Sequence, residues 1–223
     1  GGAVLNNPNL KPEKTIDYEL GFQQVLTKSS SLKISAFYKE LRNMVTVVQV
    51  YGAYPQSYKS FDNIDFGTVK GLTLTYDLRR TQNLWMKASY TLQFAEGTGS
   101  NAGSQQGLIN AGLPNLRTVL PFDYDQRHSF QFTVDYHYGE GKDYNGPRIG
   151  KCDIFANTGV NFITLFGSGT PYTAWDFAAP GVGTGTFNGS VSGTINGARM
   201  PGQFRMDINI DKNMTLKFGK KGK

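Results

Sequence analysis

The chain has one cysteine, two histidines and two tryptophans among 223 residues. A lone Cys152 excludes an internal disulfide and leaves the redox compartment open. His128 and His137 lie an odd number of residues apart, so on one strand they face opposite sides and cannot share a metal ion. No apolar run reaches the roughly 18 residues of a membrane-spanning helix. The first residues, Gly1-Gly2-Ala3-Val4-Leu5-Asn6-Asn7, have neither a basic start nor an apolar core, so they do not read as a signal peptide. Neither sign of charge dominates: 23 Lys and Arg against 17 Asp and Glu leave +6. Lys212, Lys217, Lys220, Lys221 and Lys223 cluster without a helix or an aromatic platform. They read as a solvated turn and tail, and no nucleic-acid partner is expected. Gly181 to Thr186 is glycine-rich but lacks the Gly-Lys-Ser/Thr ending of a phosphate loop, and reads as an external loop. No Ser-His-Asp or Cys-His arrangement stands out, so neither enzyme activity nor a cofactor or metal is expected.

What is abundant points to strands. There are 12 tyrosines, 15 phenylalanines and 27 glycines, with Gly, Asn and Ser gathered between strand-like runs. About seven runs alternate with a period of two. Ile16, Tyr18, Leu20 and Phe22 oppose Asp17, Glu19, Gly21 and Gln23; Leu32, Ile34, Ala36 and Tyr38 oppose Lys33, Ser35 and Lys39, with Phe37 among them. Leu72, Leu74, Tyr76 and Leu78 are followed by Leu84, Met86, Ala88, Tyr90, Leu92 and Phe94, and then by Phe130, Phe132, Val134, Tyr136 and Tyr138. A sixth run, Ile154 to Phe166, is apolar on both faces, and a seventh carries Phe204, Met206, Ile208 and Ile210.

Three features separate these runs from a soluble sandwich. They are about 10 to 15 residues long, where tilted membrane strands need about 9–11. Their polar faces carry rows of full charges, as a water-filled lumen requires. Short connections at 27–31 and 80–83 and a medium one near 139–153 alternate with long ones at about 43–66, 97–125 and 168–203. The expected fold is all-β, a transmembrane antiparallel β-barrel with periplasmic turns and extracellular loops. Leu72, Leu74, Tyr76, Phe130, Phe132, Ile208 and Ile210 should face lipid, and Asp17, Glu19, Arg127, Asp135, Arg205 and Asp207 the lumen. Tyr38, Phe94 and Tyr138, at strand ends, suit the interfacial girdles. Bacterial barrels usually close with an even number of strands, and an open edge in lipid leaves backbone groups unpaired. Residues 1–223 therefore read as an incomplete section of a larger barrel.

The long loops carry aromatics expected at a ligand or partner surface: Tyr51, Tyr54 and Tyr58 in one, Tyr172, Trp175 and Phe177 in another. The alternative is that they pack on neighbouring loops or on a lid-like partner. Asp123, Asp125 and Arg127 share parity at the mouth of the fifth strand, and a rim salt-bridge ladder is favoured over calcium.

Several motifs carry a family resemblance. Asn7-Pro8-Asn9-Leu10-Lys11-Pro12-Glu13, directly before an alternating strand, resembles the segment that leads from an external loop into a barrel strand of TonB-dependent outer-membrane receptors. Tyr38 to Met44, Asp125-Gln126-Arg127-His128, Gly167 to Thr173 and Arg205 to Lys212 resemble later pieces of the same barrels, closest to the SusC-like and Oar-like kinds. The resemblance implies a barrel of about 22 strands with a plugged lumen, the plug domain and the final strands lying outside residues 1–223. It also implies a location among the lipids of a Gram-negative outer membrane, a TonB box outside this sequence, and import of a bulky external nutrient with TonB-coupled energy. SusC-like relatives imply a surface lipoprotein partner as well. The alternatives are a non-transport barrel component of a secretion, assembly or adhesion complex, and a passive porin.

Overall fold

The computed structural model describes residues 3–150, 152–177 and 189–214. Seven long strands dominate: β1 (Lys14–Thr27), β2 (Ser30–Val50), β3 (Tyr58–Thr81), β4 (Leu84–Gly97), β5 (His128–His137), β6 (Thr158–Gly167) and β7 (Gln203–Lys212). Each pairs antiparallel with its neighbours in the chain, giving a simple up-and-down meander. Among the described residues β1 and β7 do not pair with each other, so the sheet is an open arc of a barrel wall. Among the described residues no helix is long and apolar enough to cross a membrane.

The register carries the alternation across the sheet. One continuous row runs Phe22, Ile34, Leu74, Tyr90, Phe130, Phe166 and Phe204. The adjacent row, on the opposite face, runs Gln23, Lys33, Thr75, Ser89, Gln131, Leu165 and Arg205. A slip of one residue would exchange the faces, so six strands agreeing on one parity, with β6 apolar on both faces between them, define a lipid face and a lumen face. On the first face Leu20 is 81% and Ile210 68% exposed, which only a lipid solvent makes favourable. The lumen face holds exposed ion pairs, Lys39–Asp17 at 2.8 Å and Lys33–Glu19 at 3.8 Å.

Two expectations about the connections need correction. Residues 43–66 are mostly strand, because β2 continues to Val50 and β3 begins at Tyr58. With 21 and 24 residues, these strands reach roughly 70–80 Å at about 3.4 Å per residue, far beyond the ~25 Å apolar band. Their outer halves stand above the membrane, bent by register shifts between Leu41 and Thr46, where Asn43 has a φ of 58°. Alternation is weaker there because neither face meets lipid. The sixth run starts at Thr158, leaving Ile154 and Phe155 in the preceding turn. There Phe155 lies 6.0 Å from Tyr138 in an aromatic cluster. The short turns hold as expected; at the first, Thr27 Oγ1 accepts the Ser30 backbone N–H at 3.1 Å.

Candidate ligand-binding site

The extracellular end is built on the β2–β3 extension. The Asn-Pro-Asn-Leu-Lys-Pro-Glu segment is strapped along it by polar side chains, because its two prolines cannot donate to a ladder. Asn7 Nδ2 donates to the Phe61 carbonyl at 2.9 Å, and Glu13 Oε1 accepts the Val45 N–H at 2.9 Å. Asn63 closes the strap: it accepts the Lys11 N–H at 2.6 Å and donates to the Lys11 and Asn43 carbonyls at 2.9 and 2.7 Å. Val4–Leu5 adds a short parallel pairing to Lys59–Ser60.

The connection from β4 to β5, residues 98–127, folds inward. Gly67, Val69, Ala95 and Gly97 share the lumen parity of Gly71 and Gln93, and Phe122 packs on them. A Cβ at Gly67 or Gly97 would lie 2.3 or 2.4 Å from Phe122 Cζ, so the two glycines leave the space that the ring fills. Phe122 is 1% exposed and, with Phe37, Leu41 and Met44 beside Val69 and Ala95, forms a small apolar core on the inner side of the wall. The loop continues across β2: Val47 donates to the Ala102 carbonyl at 3.1 Å, and Asn115 Nδ2 to the Val47 carbonyl at 2.9 Å.

Asp125 fastens this loop. β5 begins only at His128 and Leu120–Pro121 pairs with Glu96–Gly97, so Gln93 to Ala95 of β4 lie between the two without a strand partner on that side. Gln93 N–H finds the Arg127 carbonyl at 2.9 Å, and Ala95 N–H finds Asp125 Oδ1 at 2.8 Å, a side chain in place of a backbone acceptor. Asp125 Oδ2 accepts from Arg127 Nε at 2.9 Å and from Arg199 Nη2, while Arg199 Nη1 donates to the Asp125 carbonyl at 2.6 Å. The carboxyl is buried, which pushes its pKa up. The hydrogen bonds from Arg199, Arg127 and Ala95 and the charge of Arg127 outweigh that and hold it below the ordinary aspartate range. Arg199 belongs to the connection between β6 and β7, where Ala198–Arg199 pairs with Pro171–Tyr172, so the clamp ties two extracellular loops to the same rim.

Between those loops lies a cavity of ≈ 380 Å³. Leu108, Leu116 and Leu120 line it from the first loop, and Trp175, Val191 and Ile195 from the second. A short pairing of Trp175–Phe177 with Gly189–Val191 positions the tryptophan.

The anticipated aromatics separate in space. Tyr51 and Tyr54 are 65% and 98% exposed at the hairpin tip, and Tyr58 opens β3. Tyr172 is half exposed in its short pairing, and of the five whose side chains are described only Trp175 lines the cavity. Phe177 ends its strand, but its side chain lies outside the described residues, as do the glycine-rich run 181–186 and the lysines beyond Lys212. Of the residues assigned to the lumen, Asp17, Glu19, Asp135, Arg205 and Asp207 lie on the inward parity; Asp135 pairs with Arg80, and Arg205 with Asp207 at 3.0 Å. Arg127 departs from that row. It precedes β5, and its guanidinium bonds Asp125 and lies 4.4 Å from the Phe94 ring centre, so it is a rim residue. Asp123 is exposed and apart from the clamp, and no metal-binding cluster occurs among the described residues. Phe122, Gln105 and Arg199 were not anticipated. Arg199 is 74 residues from its partner, and no local pattern marks such a pair.

Comparison with known proteins agrees with this architecture. Residues 1–219 match a family model described as TonB dependent receptor-like, beta-barrel. The iron-regulated outer membrane virulence protein of Vibrio cholerae serotype O1, strain El Tor Inaba N16961, is 28% identical over 177 residues, covering 73% of this chain and 26% of the relative. Its counterpart in the Classical Ogawa 395 strain is 24% identical over the same length and shares. The chain thus spans about a quarter of these curated relatives. No solved structure matches it. A lipid-facing meander, a charged lumen wall and a family match over nearly the whole sequence agree: this chain belongs to the TonB dependent receptor-like β-barrel family, and its place is the outer membrane of a Gram-negative bacterium.

Proposed function

We propose that the protein containing this chain is a receptor that binds a bulky external nutrient and imports it with energy coupled through TonB. The family match carries the reading. The inward fold of residues 98–127, fastened to the lumen wall by Phe122 and Asp125, supports it against a passive porin. A receptor needs loops held over the passage, and this one is held there. The relatives' names describe them as iron-regulated, so ferric chelates belong in the substrate panel beside oligosaccharides and oligopeptides. A surface lipoprotein resting on the exposed hairpin tip at Tyr51 and Tyr54 is part of the same proposal.

The test is growth of cells with and without the full-length receptor on each nutrient class, in backgrounds with and without TonB. The expected result is a growth defect on one class that loss of either component produces equally. Tagged receptor purified from the same cells reports the lipoprotein. Uptake indifferent to TonB, or steady open conductance of the purified receptor in planar bilayers, would reject the transport reading.

A further inference from the structure

The cavity between the two extracellular loops has an unusual wall. Among the described residues none that lines it is titratable, although the lumen face below it and the rim beside it are rich in charge. Its polar side chains are largely engaged in holding the loops. Gln105 uses its whole amide: Nε2 donates to the Thr98 and Leu116 carbonyls at 2.8 and 3.1 Å, and Oε1 accepts the Leu116 N–H at 2.6 Å. Thr98 Oγ1 accepts the Phe66 N–H at 3.1 Å and donates to Asp65 Oδ1 at 2.9 Å. Ser104 and Thr173 hydroxyls each accept one backbone N–H, from Asn101 at 2.9 Å and Asn196 at 3.1 Å, and among the described residues neither O–H has an acceptor.

A charged group entering such a wall would lose part of its hydration with no counter-charge to replace it. An uncharged apolar group loses little and gains contact with three leucines, a valine, an isoleucine and an indole face. The volume, ≈ 380 Å³, lies near the lower end of the roughly 300–1,000 Å³ range of small-molecule pockets. It suits one ring system with a short alkyl or carbonyl neighbour and is too small for a whole bulky nutrient.

We infer that this cavity is a subsite for an uncharged aromatic or apolar group of the external solute, with the Ser104 and Thr173 hydroxyls able to serve at most two acceptor atoms. The inference rests on the receptor reading, and it narrows the solute to one that presents such a group. The test uses full-length receptor in lipid nanodiscs and two probes sharing one ring, neutral N-acetyl-tryptophan amide and anionic N-acetyl-tryptophan. Binding is read by saturation-transfer NMR against empty nanodiscs. The amide should bind saturably and at least about 10-fold more tightly than the anion, corresponding to ~1.4 kcal/mol. Leu116→Asp, which places a charge in the wall, and Ile195→Trp, which fills the space without charge, should each weaken the amide by a similar factor. Both positions are more than a third exposed, and heat-modifiable migration on gels confirms an intact barrel. No amide binding, equal binding of amide and anion, or binding unchanged in correctly folded Ile195→Trp would each overturn the subsite. The probe assay needs no TonB. Lost probe binding with TonB-dependent uptake intact rejects the subsite alone, and retained binding without TonB-dependent uptake rejects the transport reading alone.

Discussion

Replacing Asp125 isolates the clamp from the barrel. The carboxylate is fully buried and holds Ala95 N–H, Arg127 and Arg199. Breaking a buried ion pair by removing one partner costs about 3–5 kcal/mol when the orphaned charge stays buried. Here the arginine side chains are 34% and 30% exposed, so water can reclaim much of their charge. The Ala95 N–H, facing the loop, is harder to resolvate, and an unpaired buried donor costs ~1–3 kcal/mol. We expect Asp125→Ala to lower the free energy of opening of residues 98–127 and of the Arg199 segment by about 2–3 kcal/mol. Asp125→Asn, which keeps an acceptor for Ala95 but turns a donor toward two guanidinium groups, should do nearly as much. The barrel ladder, independent of this contact, should hold, because opening is a local event. With cleavage slow relative to reclosing, the rate follows the open population. Trypsin cutting after Arg117 should then accelerate by about 30- to 140-fold, at ~1.4 kcal/mol per tenfold. Hydrogen exchange should rise over both loops and not over β5 or β6. Unchanged cleavage in a correctly inserted variant would refute the clamp, and exchange rising throughout the barrel would refute its locality.

The same carboxylate sets a pH dependence. Its folded pKa is depressed, so the clamp is complete above the ordinary aspartate value of ~3.9 and weakens as pH falls through the lower folded value. Exchange of residues 98–127, corrected for intrinsic rate, should rise only in that acid window, and Asp125→Asn should abolish the pH step. Gly67→Ala should cost about 1–3 kcal/mol by driving Phe122 off the wall. Combining it with Phe122→Ala should cost less than the sum of the two, read by loop exchange, and strict additivity would contradict the packing. Met206→Arg, in the row of Ala88 and Phe132 at the middle of the lipid face, should destabilise the folded barrel by ~2–4 kcal/mol, and Ile210→Arg nearer the rim by only ~0–1 kcal/mol. Denaturant titration in lipid vesicles measures both, and equal costs would place the residues away from lipid.

The sequence by itself determined the wall. A period of two repeated over six of the seven runs states which residues face lipid and which face water, and pairing between chain neighbours follows from short turns at 28–29 and 82–83. Such information is local: each residue's environment depends on its parity and on the strand beside it. It fades where the membrane ends. Above the lipid the pattern loses its second solvent, so the outer halves of β2 and β3, from Asn43 to Phe66, read as loop although their backbone stays paired. The loops were legible only as composition. That Phe122 would lie on Gly67 and Gly97, that Asp125 would take Arg199 across 74 residues, and that Trp175 would face Leu108 and Leu116 depends on non-local packing. Those contacts form only once the barrel wall has brought its connections to one end. The tertiary structure alone decided where the two loops meet.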